Sequence, residues 1–63
     1  MSYLILDRIA HATGAPAAFT RVGDKIGIVW RERTIPLTQQ EMRDLIYTAD
    51  ADLARHLEFL PSA

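Results

Sequence analysis

The chain has no cysteine among its 63 residues, so neither a disulfide nor a thiolate-held zinc ion is open to it. His11 and His56 are the only imidazoles, too few to build a structural metal site. No apolar run approaches the roughly 18 residues that a membrane span requires. Charge of one sign is also missing. Seven basic residues against eight acidic leave a net −1, which exerts no general pull on nucleic acid or an anionic membrane. The opening "MSYLIL" has no basic stretch before it and is short for a secretory core, so the expected compartment is the cytoplasm.

What is present is a folding composition, 49% apolar and 24% charged. Such a short chain forms one domain at most, and hides only about 60% of the surface its unfolded form exposes. Without a covalent staple, tight packing and self-association remain as sources of stability, and a dimer is the simplest form. The charge is unevenly spread. Residues 1–33 hold five basic and three acidic side chains, whereas residues 34–63 hold two basic and five acidic. The halves are mildly complementary, which suits packing against each other or a head-to-tail partner.

The strongest local signal is "LTQQEM" at 37–42. Thr38 followed three residues later by Glu41 is a capping box, and Leu37 with Met42 occupies the hydrophobic-staple positions. A helix therefore starts here. Met42, Leu45, Ile46, Ala49, Leu53, Leu57 and Leu60 follow at helical spacing, and Pro61 ends the pattern, leaving 61–63 as a frayed tail. "TADAD" at 48–52 is the weak point, because Thr48, Asp50 and Asp52 favour caps over helix interiors. The stripe keeps phase across it, so one long helix over 39–60 is expected, with a bend near Asp50 as the alternative.

Before that helix, "AAFTRVGDKIGIVW" reads as a hairpin turning at Gly23-Asp24. Val22 then opposes Lys25, Arg21 opposes Ile26, Phe19 opposes Ile28 and Ala17 opposes Trp30. Phe19, Ile26, Ile28 and Trp30 share one face. A second turn at Glu32-Arg33 pairs Trp30 with Ile35 and Ile28 with Leu37, keeping both on that face; Glu-Arg is poor turn chemistry, which leaves a longer loop as the alternative. Pro36 marks the third strand as an edge. At the start, Ser2 as cap, a side formed by Leu6, Ile9, Ala10 and Thr13, and Gly14 with Pro16 as closure read as a helix, though "YLIL" would also serve as a strand. The expected fold is α+β: a short N-terminal helix, a three-stranded antiparallel meander, and a long C-terminal helix across one sheet face.

Candidate functional residues are few. "VWRERTIPL" at 29–37 places a tryptophan beside arginines, as single-stranded nucleic-acid grips do, but strand parity turns Trp30 and Phe19 inward, away from Arg31. Arg21, Lys25, Arg31 and Arg33 gather around the hairpins, the one arrangement here that could contact nucleic acid. Asp24 and Glu32 interleave with them, so binding that scales with phosphates neutralised would be weak. His56 and His11 each follow an aspartate by four residues, the spacing of a helix-face ion pair with Asp52 and Asp7. Asp50 and Asp52 point apart on a helix and form no metal loop. "GDKIG" lacks the ending of a phosphate loop, and neither serine has a histidine at an informative spacing, so no catalytic residue, cofactor or metal is expected.

Tyr47 and Phe59 fall outside the helix stripe, Tyr47 beside Ala51, as a contact patch would. A helix over 39–60 would be ~31 Å long and overhang strands of ~20 Å. Its far end, with Leu57, Phe59 and Leu60, would then meet a second copy across a two-fold. The expected function is a non-catalytic protein-binding module, a stoichiometric inhibitor or adaptor working as a homodimer on another protein. In its size, and in having a core without a site, it resembles the small binding proteins with which phages and mobile elements inhibit host machinery, a resemblance of type carried by no motif. The alternative is a small nucleic-acid binder or transcription cofactor using the basic hairpin.

Overall fold

A computed structural model describes residues 3–63, with side chains from Leu4 onward. The order is α1 (Tyr3–Thr13), β1 (Ala17–Val22), β2 (Lys25–Trp30), β3 (Arg33–Leu37), α2 (Gln39–Tyr47), a single 3-10 turn (Asp50–Asp52) and α3 (Leu53–Phe59). The class is α+β, and the strands form an antiparallel meander in the order β1-β2-β3. In α1, Ile5 and Ile9 face the core and Leu6 packs against its margin. Ser2, expected as the cap of α1, lies outside the described residues.

The first hairpin has the register its turn demands. Val22 opposes Lys25, Phe19 opposes Ile28 and Ala17 opposes Trp30. Gly23 adopts φ 62 while Asp24 does not turn positive, the pattern of a type II′ turn.

The second hairpin corrects the expected register. Its turn is Arg31-Glu32, so Trp30 opposes Arg33 and Ile28 opposes Ile35, two residues away from the pairing that a Glu32-Arg33 turn would set. A slip of two leaves every side chain on its own face. Ile35 and Leu37 are accordingly buried. Arg31 and Glu32 sit at φ 50 and φ 61, the type I′ geometry that normally selects Asn-Gly. Left-handed backbone costs a non-glycine residue roughly 1–2 kcal/mol. Tertiary contacts offset it: the Arg31 guanidinium lies 4.3 Å from the centre of the Trp30 ring. Arg31 also donates to Glu58 Oε2 at 3.1 Å and to the Thr13 carbonyl at 3.3 Å.

The long C-terminal helix is also corrected: it is two helices. The capping box forms as expected, with Glu41 N–H donating to Thr38 Oγ1 at 3.1 Å and Thr38 N–H to Glu41 Oε1 at 2.8 Å. But α2 ends at Tyr47, and Thr48 and Ala49 are extended, with ψ 134 and 149. Thr48 Oγ1 donates back to the Asp44 carbonyl at 2.7 Å, the local competition that disfavours threonine inside helices. Arg8 of α1 then holds the break open. Its guanidinium donates to the Ile46 carbonyl at 2.9 Å, to the Thr48 carbonyl, and to Asp50 Oδ1 at 2.8 Å. Main-chain oxygens left bare at the end of α2 are thereby satisfied by a charged donor.

The break swings α3 back over the sheet and against α1. Leu45 of α2 and Leu53 and Leu57 of α3 join Ile5, Ile9, Ile28, Trp30, Ile35 and Leu37 in one cluster. Each fully buried aliphatic side chain there contributes about 1.5–3 kcal/mol. Trp30 is the centrepiece, and its indole N–H donates to Thr13 Oγ1 at 3.0 Å. The end of α3 is capped in the manner of α2. Arg33 donates to the Leu57 carbonyl at 3.0 Å, to the Leu60 carbonyl, and to Ser62 Oγ at 2.7 Å. The segment 61–63, expected to fray, runs beside β3, where Ala63 N–H donates to the Thr34 carbonyl at 2.8 Å.

Candidate functional site

The residues expected to form a contact patch are separated by the break. Tyr47 is 81% exposed at the end of α2 and Phe59 86% exposed on α3. They belong to different helices, and Ala51 lies in the turn between them, so the shared face of a continuous helix is not formed. Leu57 is 0% exposed, which removes it from any dimer seam, and Leu60 packs partly against the core. The overhang that would have exposed them does not exist, because the bend folds α3 inward.

The basic cluster is divided as well. Arg31 is engaged by Trp30, Glu58 and Thr13, and Arg33 caps α3. Arg21 and Lys25, on the first hairpin, are exposed and make no side-chain hydrogen bond among the described residues. Trp30 is buried, so bases cannot stack on it. Arg31 does lie over its ring, contrary to the expected separation, because the left-handed turn carries that side chain out of strand parity. His11 Nδ1 lies 3.1 Å from the Asp7 main-chain oxygen and not from the carboxylate. The Asp52 carboxylate accepts from Arg55 at 3.2 Å, while Asp50 is held by Arg8. Among the described residues no three His, Asp or Glu side chains are placed to hold a metal ion. None of the described helices is long and apolar enough to cross a membrane.

The feature that does emerge is a groove between α1 and α2, open at the Gly23-Asp24 end of the sheet. Phe19 and Ile26 of the first hairpin and Leu37 of β3 form its floor. Leu4 and Ile5 of α1 stand on one side, and Met42 and Ile46 of α2 on the other. Leu4 is 67% exposed, and Ile26 and Ile46 are each 50% exposed. Lys25, Arg43, Asp24 and Gln39 occupy the rim, with Arg8 at the α1 wall. Asp24, Lys25 and Arg43 make no side-chain hydrogen bond among the described residues, so the free rim charge is positive by one. Ile26 and Ile46 both carry core parity in the sequence. They stay exposed because this end of the sheet, between α1 and α2, is left uncovered. No protein-family model, curated protein or solved structure matches the chain.

Proposed function

We propose that this chain is a non-catalytic protein-binding module that acts stoichiometrically, as an inhibitor or adaptor, and does so as a homodimer. Its docking surface is the groove between α1 and α2. One observation carries this reading: α1, the first hairpin and α2 deliver exposed or half-exposed Leu4, Phe19, Ile26, Met42 and Ile46 to one concave strip. Scattered surface apolar residues are ordinary, but a contiguous concave set rimmed by polar groups is how a protein partner is held. An apolar strip between two helices over a sheet is the kind of surface that receives the apolar face of an amphipathic helix. A free positive rim of Lys25 and Arg43 favours acidic residues on that partner's flank.

Paired capture experiments test it, using the parent and an Ile26→Glu variant as baits, with bound proteins identified by mass spectrometry. Ile26 is half exposed and at the sheet's end, so the variant keeps its melting temperature within a few degrees. The expected result is a protein retained by the parent at high salt and lost by the variant. Two baits that retain the same set exclude the groove as the site. Retention of nucleic acid alone, released steeply as salt rises, would instead favour the phosphate-binding alternative through Arg21 and Lys25.

A further inference from the structure

The two edges of the sheet are finished differently. Residues flanking a two-residue turn exchange main-chain hydrogen bonds, and such pairs then alternate along the ladder. In the second hairpin, Trp30·Arg33, Ile28·Ile35 and Ile26·Leu37 are those pairs, so Thr34 and Pro36 direct their main-chain groups outward. That edge is closed twice over. Pro36 has no N–H to offer, and the Thr34 carbonyl is occupied by Ala63 N–H at 2.8 Å. In the first hairpin, Val22·Lys25, Thr20·Gly27 and Ala18·Val29 are the bonded pairs, so Ala17, Phe19 and Arg21 point outward. Among the described residues, no hydrogen bond reaches their N–H or carbonyl groups. The β1 edge also lacks the devices that keep sheet edges apart: it has no proline, no bulge in its register, and a single cation at its end.

We infer that β1 pairs with β1 of a second copy of this chain, antiparallel across a two-fold at Phe19, making one six-stranded sheet. The partner is a second copy because the strand is complementary to itself in that register. Outward-facing residues must oppose outward-facing residues, and the one register that pairs all three puts Phe19 opposite Phe19 and each Arg21 opposite Ala17 of the other copy. No like charges are opposed. Three hydrogen-bonded pairs supply about six main-chain bonds. The half-buried Phe19 side chains lie together on the helix-bearing face, an aromatic cross-strand pair of the kind that stabilises a ladder. The opposite face carries Ala18 and Thr20, small and uncharged, so nothing forces the strands apart. A 63-residue chain with no disulfide gains most from such an extension. This seam gives a place to the proposed homodimer; it shares Phe19 with the edge of the groove, whereas Ile26 on β2 lies outside it.

Sedimentation equilibrium of the full chain, with designed variants, tests the seam. The parent should approach the mass of two chains as concentration rises. Arg21→Pro removes an outward N–H without touching the β1–β2 ladder, and should return the mass to that of one chain with its circular dichroism retained. The absence of native cysteine allows a second, register-specific measurement. In the proposed register Ala18 opposes Thr20 of the other copy in a non-hydrogen-bonded pair, at a Cα separation of about 4.5 Å that a disulfide can span. The double variant Ala18→Cys, Thr20→Cys should therefore cross-link on mild oxidation, at least tenfold faster than Ala18→Cys alone. A parent that keeps single-chain mass at every concentration overturns the proposal, and an extended strand of another protein then becomes the better occupant. Equal cross-linking by the single and double variants places any seam elsewhere and overturns it too. If Arg21→Pro fails to fold, the cysteine comparison decides alone. Ile26→Glu should leave the mass doubled, which keeps failure of the groove separate from failure of the seam.

Discussion

Thr13 Oγ1 links the Trp30 indole to the end of α1. The Trp30 indole is buried, its N–H bonded to Thr13 Oγ1, and Thr13 Oγ1 donates in turn to the Ile9 carbonyl at 2.7 Å. The same oxygen accepts from Ala15 N–H at 3.2 Å, so one hydroxyl ties the end of α1 to the sheet. Trp30→Ala should cost about 3–5 kcal/mol, seen as a lowered midpoint in thermal or urea denaturation. Thr13→Val keeps the shape but leaves the indole N–H without an acceptor, a loss of about 1–3 kcal/mol. Trp30 is the only tryptophan, so its fluorescence reports the second change directly. A Thr13→Val protein with parental stability would show that the hydrogen bond contributes nothing net.

At the level of elements, backbone strain lies in the β2–β3 turn, where Arg31 and Glu32 are left-handed. Glu32 occupies a left-handed position and makes no hydrogen bond among the described residues, so Glu32→Gly should raise stability by about 1 kcal/mol. An equilibrium unfolding curve that fails to move, or moves down, counts against the turn being strained. Arg31 is the wrong residue for the same experiment, because its stacking on Trp30 would be lost together with the strain. At the helix ends, Arg8 and Arg33 play matching parts, each closing a C-terminus from a distant element. Arg8→Met keeps much of the stem but bares the Ile46 and Thr48 carbonyls. The expected cost is about 1–2 kcal/mol, with faster amide exchange concentrated in residues 45–53. Exchange that rises uniformly along the chain would mean that Arg8 does not hold the break.

Over the whole molecule, the bend at Thr48–Asp52 decides which surfaces face inward. Because Leu57 is buried, Leu57→Glu, Leu60→Glu should unfold the chain and not merely separate copies of it. Tyr47→Ser and Phe59→Ser should change the melting temperature by no more than a few degrees, since both rings stand in solvent. Circular dichroism of these variants checks both statements. A folded, monomeric Leu57→Glu, Leu60→Glu protein would restore the overhanging helix.

Much of the fold is legible in the sequence because its signals are local. The capping box needs only Thr38 and Glu41, three residues apart, and both of its hydrogen bonds form. Gly23-Asp24 sets the first hairpin through the φ that glycine alone accepts cheaply, and the register follows. The inward face survived even a misplaced second turn, because a two-residue slip preserves parity. What the tertiary structure decided is each point where a distant group outweighs a local preference. Arg31-Glu32 turns in place of Glu32-Arg33 because Trp30, Glu58 and Thr13 hold Arg31 there. Helical phase runs unbroken through "TADAD"; Thr48 competes with it locally, and Arg8, forty residues before Thr48, satisfies the carbonyls that the break exposes. The groove was unreadable for the same reason. Ile26 and Ile46 carry core parity, and whether such a residue is covered depends on how the helices are placed over the sheet, a property of packing that no stretch of sequence contains.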